Sequence, residues 1–176
     1  MRISFVSPCG NSGGVLYPLD LSKELSKRHE VEFWCVAFFG EPESDVPDGA
    51  RYVRLDRAYA FPDDLLHTDV IVCINWQAIS LVNGMSEHLM STKGTDPLRD
   101  KVLINLIQGD ERGWAPPSEV MRLMSLPGWK NIFVSDHLRK RMIVDGVPDG
   151  PVVNDGISDA FFDDLDETVR PLDLGV

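Results

Sequence analysis

Short apolar runs alternate with amphipathic stretches along most of the chain. The apolar runs predict strands at residues 2–6, 31–37, 52–55, 70–74, 102–107, 132–134 and 152–153. The amphipathic stretches predict helices at residues 15–28, 78–90, 118–126 and 136–145. Nearly continuous apolar runs are typical of strands that are covered on both faces. The repeated β-α-β order therefore predicts an α/β fold, a Rossmann-like three-layer sandwich with a mostly parallel sheet and right-handed crossovers.

The first predicted helix follows a glycine-rich turn. At 100° per residue its apolar side chains fall within an arc of about 160°; they are Val15, Pro18, Leu19, Leu21 and Leu25. We expect Pro18 to be tolerated because it lies in or near the first turn, where amide hydrogens lack intrahelical partners. Gly13 and Gly14 then lie at the carboxyl end of the first strand, where open α/β sheets bind ligands.

Composition and charge narrow the class of protein. The 176 residues suit one α/β domain, and no apolar run approaches the length of about 18 residues that suggests a membrane span. Lys and Arg number 17 against 28 Asp and Glu, giving a net charge of −11, and the basic residues are scattered apart from residues 139–141. We therefore expect no binding to nucleic acid. Only a few residues precede Ser7 and Pro8, too few for a secretory signal, so we expect a cytoplasmic protein.

The cysteine and histidine spacings favour neither a disulfide framework nor a metal site. Cys9, Cys35 and Cys73 are widely spaced, and we interpret them as buried, reduced thiols. The histidines show no metal-ligand spacing, so we expect no bound metal.

The glycine-rich turn does not match the known nucleotide-binding motifs. Its glycines do not follow the G-x-G-x-x-G spacing of dinucleotide-binding proteins, and Val15 and Leu16 occupy the places of the Lys and the Ser or Thr of a P-loop. We therefore expect no cofactor.

The order of motifs resembles the amino-terminal half of GT-B-type retaining glycosyltransferases of family four. The resemblance includes residues 2–6, the Gly13-Gly14 pair and "HEVEFW" at residues 29–34. It continues with "NIFVSDHLRKRMIVDGV" at residues 131–147 and "VVNDGISDAFF" at residues 152–162. These motifs extend over nearly the whole chain.

The resemblance implies a domain organisation and a reaction. Residues 1–160 would form the acceptor-side domain, and residues 161–176 a linker and the start of a missing carboxyl-terminal domain. The expected reaction transfers a sugar from a nucleotide-sugar donor to an acceptor hydroxyl with retention of configuration. The isolated half would be inactive, and the resemblance also allows for peripheral membrane contact by a full-length protein.

Candidate ligand-binding residues follow the first and fourth predicted strands. Backbone amides at Gly13 and Gly14 suit a diphosphate, with Asn11 and Ser12 adding hydrogen bonds; the alternative is a tight turn without a ligand. Asn75 and Trp76 suit a sugar, because an amide bonds hydroxyls and an indole packs on a C–H face. The alternative there is a helix-capping Asn beside a Trp that covers the sheet.

The segment after the fifth predicted strand begins with Gln108, a candidate ligand-binding residue, and continues with two carboxylates, the guanidinium of Arg112 and the indole of Trp114. Asp110 or Glu111 could accept the proton of the acceptor hydroxyl as a general base. The alternative is a solvated loop in which one of these carboxylates pairs with Arg112. Ser135 is a natural N-cap for the next helix, and His137 is a candidate to line the same crevice.

Two rival functions remain open from the sequence. One is a non-catalytic Rossmann-like module that binds a small ligand or a protein. The other is an enzyme that modifies nucleotide sugars on a dinucleotide-binding fold, which the failed glycine fingerprint disfavours.

Overall fold

A computed structural model describes residues 1–9, 13–37, 46, 49–54, 65, 67–113 and 115–154. The strands are β1 (Arg2–Pro8), β2 (Glu30–Ala37), β3 (Arg51–Arg54), β4 (Val70–Cys73), β5 (Val102–Ile107) and β6 (Trp129–Phe133). The helices are α1 (Gly13–Ser26), α2 (Trp76–Lys93), α3 (Pro117–Met124) and α4 (Asp136–Val144), with a 3₁₀ turn at Glu111–Gly113.

The strands form one six-stranded sheet in the order β3-β2-β1-β4-β5-β6. Every neighbouring pair is parallel. The predicted Rossmann-like α/β fold is therefore confirmed, and the sheet is wholly rather than mostly parallel within the described residues. The chain order reverses between β1 and β4, which makes the carboxyl ends of these two strands the switch point of the sheet.

Two buried clusters cover the sheet and account for the continuous apolar runs. One cluster joins Phe5 of β1 to side chains of α1 and α4, such as Leu19 and Met142. The other joins Val6 of the same strand to α2 through Ile79. Successive residues of a strand point to opposite faces, so adjacent Phe5 and Val6 serve different clusters.

Helix α1 begins at Gly13, two residues earlier than predicted. Pro18 therefore lies in the second turn of the helix, not in or near the first. Since proline has no N–H, it cannot donate to the carbonyl of Gly14 one turn earlier. That carbonyl lacks its usual intrahelical partner at the start of the helix.

Helix α2 is longer than predicted at both ends. Asn75 caps its first turn, because the side chain accepts a hydrogen bond from the Ala78 amide at 2.9 Å. Gly94 ends the helix with φ of 68°, a left-handed conformation that glycine adopts without strain. Residues 91–93, which follow the predicted end of the helix, are helical because this cap comes after them.

A close contact holds the segment after α4 against β6. The side chains of Asn105 and Asn131 hydrogen-bond between neighbouring strands at 3.1 Å, and Asn131 also donates to the Pro148 carbonyl at 2.9 Å. A Cβ at Gly150 would lie 1.9 Å from the Asn131 carbonyl oxygen, so only glycine fits there. The predicted strand at residues 152–153 is reduced to an isolated parallel bridge between Phe133 and Val152.

The cysteine prediction is correct for two of the three thiols. Cys35 and Cys73 are buried and Cys9 is half-buried, and none of them forms a disulfide. The hydrogen bond between the Cys9 and Cys35 side chains lowers the pKa of Cys35, whereas burial raises the pKa of Cys73.

Several predictions concern residues outside the described part. The predicted linker and second-domain start at residues 161–176 lie outside it, as do Asn11, Ser12 and Trp114. Within the described part, none of the helices has the length and apolar character needed to span a bilayer.

Candidate functional site

A pocket of about 820 Å³ lies at the carboxyl edge of the sheet, at the switch point. Its described lining consists of Pro8, Cys9, Gly14, Val15, residues 74–77, residues 108–111, Ala115 and Pro116. These residues come from the ends of β1, β4 and β5, from the start of α1 and from the segment that leads into α3. Parallel strands bring their carboxyl ends to one edge, which gathers these distant stretches into one site.

Glu111 has the strongest electrostatic perturbation in this pocket. Its carboxylate accepts a hydrogen bond of 2.9 Å from the backbone amide of Trp76, the first residue of α2. Burial raises the pKa of Glu111 to about 7, and the neighbouring charge of Asp110 adds to the rise, while the bond from Trp76 opposes it. A carboxyl group with a pKa near neutrality can gain and lose a proton at physiological pH.

Asp110 has the opposite environment although it is the adjacent residue. Two oxygens of its carboxylate accept hydrogen bonds from Arg112 at 2.6 and 2.7 Å, and Arg141 lies 2.9 Å away. The bonds to Arg112 lower the pKa of Asp110 to about 2. Arg112 also pairs with Asp145.

The two carboxylates predicted as general bases therefore differ. Asp110 forms the ion pair with Arg112 that the alternative interpretation predicted, and a carboxylate with so low a pKa is a weak base. Glu111, with a pKa of about 7, can accept a proton near neutral pH, as the predicted general base must. Its role as a base stays a prediction.

The amides that follow β4 are partly engaged with one another. Besides capping α2, Asn75 donates from Nδ2 to Gln77 Oε1 at 2.9 Å. Trp76 is half-buried and packs against both core clusters. The alternative interpretation of these residues, a capping Asn beside a covering Trp, is thus confirmed, and both residues also line the pocket.

Gln108 contributes an unused hydrogen-bond donor. Its Nε2 atom is buried and has no hydrogen-bond partner among the residues that the structure describes. An unpaired buried donor costs free energy, and a ligand that accepts from it recovers that cost.

The predicted phosphate-binding glycines lie at the first turn of α1. Gly14 is exposed and lines the pocket, and Gly13 is the first helical residue. Free amides at a helix start carry partial positive charge. The binding role of both glycines stays a prediction.

His137 lies away from this group. It is exposed in the first turn of α4, where Ser135 caps the helix by accepting from the Leu138 amide at 3.2 Å. His137 is not among the described residues that line the pocket, and its ligand role stays a prediction. Within the same described ranges, no group of three His, Cys, Asp or Glu side chains is arranged to hold a metal ion.

The sequence did not reveal the apolar part of the lining or the second partner of Asp110, which is Arg141. Ile74, Ala115 and Pro116 carry no motif, and they line the pocket only because the strand ends converge. Arg141 lies 31 positions after Asp110, and only the packing of α4 brings the two together. No pattern along the chain signals such a pair.

No protein-family model and no curated protein sequence matches the chain. Among solved structures, it is similar to an alpha-glucosyltransferase in complex with UDP and a 13-mer DNA containing a central A:G mismatch. The identity is 16%, the TM-score is 0.47, and the match covers 77% of this chain and 37% of that one. This chain thus corresponds to little more than a third of that protein. The resemblance to family four and the expected lack of nucleic-acid binding stay predictions.

Proposed function

We propose that this chain is the acceptor-side half of a glycosyltransferase that moves a sugar from a nucleotide-sugar donor to an acceptor hydroxyl. The observation that carries the proposal is the pocket of about 820 Å³ at the switch point, with Glu111 in its wall. The order of motifs in the sequence is independent support, since it resembles one half of such enzymes.

Glu111 is the general base of this proposal. The acceptor hydroxyl gives its proton to the Glu111 carboxylate, and the acceptor oxygen forms a bond to the anomeric carbon of the sugar. The bond between that carbon and the diphosphate oxygen breaks on the same face of the sugar, and the nucleoside diphosphate leaves, so the anomeric configuration is retained. A base whose pKa is near 7 is half ionised at neutral pH, which suits this transfer.

The start of α1 receives part of the diphosphate. Gly14 has no side chain, so an anion can approach the helix backbone where a Cβ would collide. Asn11 and Ser12 would add side-chain hydrogen bonds. The remaining grip on the nucleotide comes from a second Rossmann-like half that faces this one across a cleft.

We also propose retention of anomeric configuration and inactivity of the 176-residue chain alone. Transfer in a two-half architecture depends on groups that close on the diphosphate from the other side. The absence of preorganised groups costs orders of magnitude in rate.

Calorimetric titration with UDP-glucose and GDP-mannose tests the donor site, with NAD as the negative ligand. Gly14→Val should abolish nucleotide-sugar binding because its branched side chain blocks the anion. Gly84→Val is the matched control, since Gly84 is an exposed glycine of α2 and a Cβ there would meet no atom within 4 Å. The two variants should have similar melting temperatures and different affinities.

The outcomes separate the competing functions. If the folded Gly14→Val protein bound nucleotide sugars as tightly as the unaltered chain, the glycine pair would be a turn without a binding role. Robust sugar transfer by the 176-residue chain alone would disprove the two-half proposal. Binding without turnover, even in a protein that carries both halves, would favour the non-catalytic binding module.

A further inference from the structure

We infer that the acceptor for this pocket is an uncharged aromatic or aliphatic alcohol with a single reacting hydroxyl, and not a free sugar or an anion. The inference rests on the proposed function and specifies its acceptor. Three properties of the described lining support it: apolar walls, few free hydrogen-bonding groups and no available positive charge.

The walls of the pocket are mainly apolar. Pro8, Val15 and Ile74 come from the β1, α1 and β4 side, and Ala115 and Pro116 come from the segment before α3. Trp76 adds an indole to the same wall. Removing apolar surface of this kind and an apolar ligand from water together is favourable.

The polar groups are too few for a free sugar. Asn75 is committed to the cap of α2 and to Gln77. The other side-chain groups of the described lining include the amide of Gln77, whose oxygen accepts from Asn75, and the Nε2 donor of Gln108, which has no described partner. They also include the carboxyl of Glu111, which accepts from the Trp76 amide. A free sugar buries several hydroxyls that each need a partner, whereas one hydroxyl needs only one donor and one acceptor.

The charges around the pocket disfavour an anionic acceptor. None of the described lining residues is Lys, Arg or His. Arg112 and Arg141, which lie beside the pocket, are paired with Asp110, and Arg112 also with Asp145. Beside Glu111, an anionic acceptor would meet a carboxyl group and paired guanidiniums, so it would lose its hydration without gaining a countercharge. The partial positive charge at the start of α1 is taken by the donor diphosphate in the proposed function.

Direct calorimetric titration of the chain with three probes tests this inference without any donor. The probes are 2-naphthol, 2-naphthoate and methyl glucoside. The first two share an aromatic body and differ in charge, and the third is uncharged but polar throughout. We expect 2-naphthol to bind at one site, about ten-fold or more tighter than either of the others.

A variant of the wall tests whether this binding occurs in the pocket. Ala115→Lys places a cation in the lining and should weaken 2-naphthol while strengthening 2-naphthoate. Met90→Lys is the control, because Met90 is an exposed residue of α2 that is not in the described lining. The control should leave all three affinities unchanged.

The results distinguish this inference from the proposed function. Equal or tighter binding of methyl glucoside or 2-naphthoate by the unaltered chain would overturn the inference, as would an Ala115→Lys protein that binds like the Met90→Lys control. Nucleotide-sugar binding without 2-naphthol binding would overturn the inference alone. Binding of 2-naphthol without any nucleotide-sugar binding would preserve the ligand class and contradict the transferase.

Discussion

The two edges of the sheet use polar residues differently. At the amino edge, the Arg2 amide donates to Asp69 at 2.8 Å and the Arg2 side chain donates to Glu30 at 3.0 Å. Behind them, the hydroxyls of Ser4 and Thr68 hydrogen-bond at 2.7 Å. These polar groups have partners within the protein, and they hold β1 to its neighbours.

At the carboxyl edge, some polar groups keep unused capacity. Gln108 has a buried amide without a described partner, and Glu111 is buried enough to raise its pKa to about 7. Asp110, one residue away from Glu111, is fully paired and resembles the amino edge. We conclude that paired charges stabilise the fold. A buried polar group that lacks a full set of hydrogen-bond partners at the end of a strand indicates a ligand-binding site.

The largest effect that tests this contrast is the pH dependence of stability in Glu111→Gln. The pKa of Glu111 is raised in the folded state, so its contribution to stability is fully present below about pH 4.5 and is lost as the pH rises through about 7. The loss is on the order of 3 kcal/mol. Glu111→Gln removes it, so the variant should gain stability relative to the unaltered chain between those pH values, as measured by urea unfolding.

Two further variants bracket this result. Glu87→Gln makes the same change at an exposed position of α2 and should show no such gain. Asp110→Asn should behave in the opposite sense, because the lowered pKa of Asp110 gives stability that is lost only as the pH falls from about 4 through about 2. If the difference in unfolding free energy between Glu111→Gln and the unaltered chain did not change with pH, the contrast between the two carboxylates would be wrong.

The next comparison is between two helix caps, whose removal should have a smaller effect on stability. Asn75→Ala and Ser135→Ala each remove a side-chain cap, and each should cost about 1 kcal/mol of unfolding free energy. Only Asn75 lines the pocket, where it also holds the neighbouring wall residue Gln77, so only its variant should also weaken 2-naphthol binding. Equal affinities for the two variants in calorimetry would show that Asn75 serves the helix alone.

The smallest effect is expected at the amino edge. Arg2 and Glu30 form an exposed ion pair, with 56% and 66% of the respective side-chain surfaces accessible. A double-mutant cycle on this pair should give a coupling of about 0.5 kcal/mol or less, which decreases further at high salt. A coupling of several kcal/mol would contradict the assignment of this pair as a surface contact.

Local patterns determined the elements and their class. Continuous apolar runs identified the strands of the described sheet because strands covered on both faces leave no room for polar alternation. Helix α4 was placed to within one residue at its end, since Ser135 supplies a capping hydroxyl where the pattern begins. The end of α2 was predicted three residues too early, because its cap, Gly94, lies beyond the last residues of the apolar pattern.

The sequence predicted only part of the candidate site. The strand ends indicated which residues meet at the carboxyl edge, because parallel strands all end there. The pKa of Asp110 is lowered mainly by Arg112, two residues away, with a smaller contribution from Arg141. The pKa of Glu111 is raised mainly by burial, and the Trp76 amide opposes that rise. Burial and ion pairing are properties of the packed chain, so adjacent carboxylates of similar chemistry acquired different behaviour only when the tertiary structure formed.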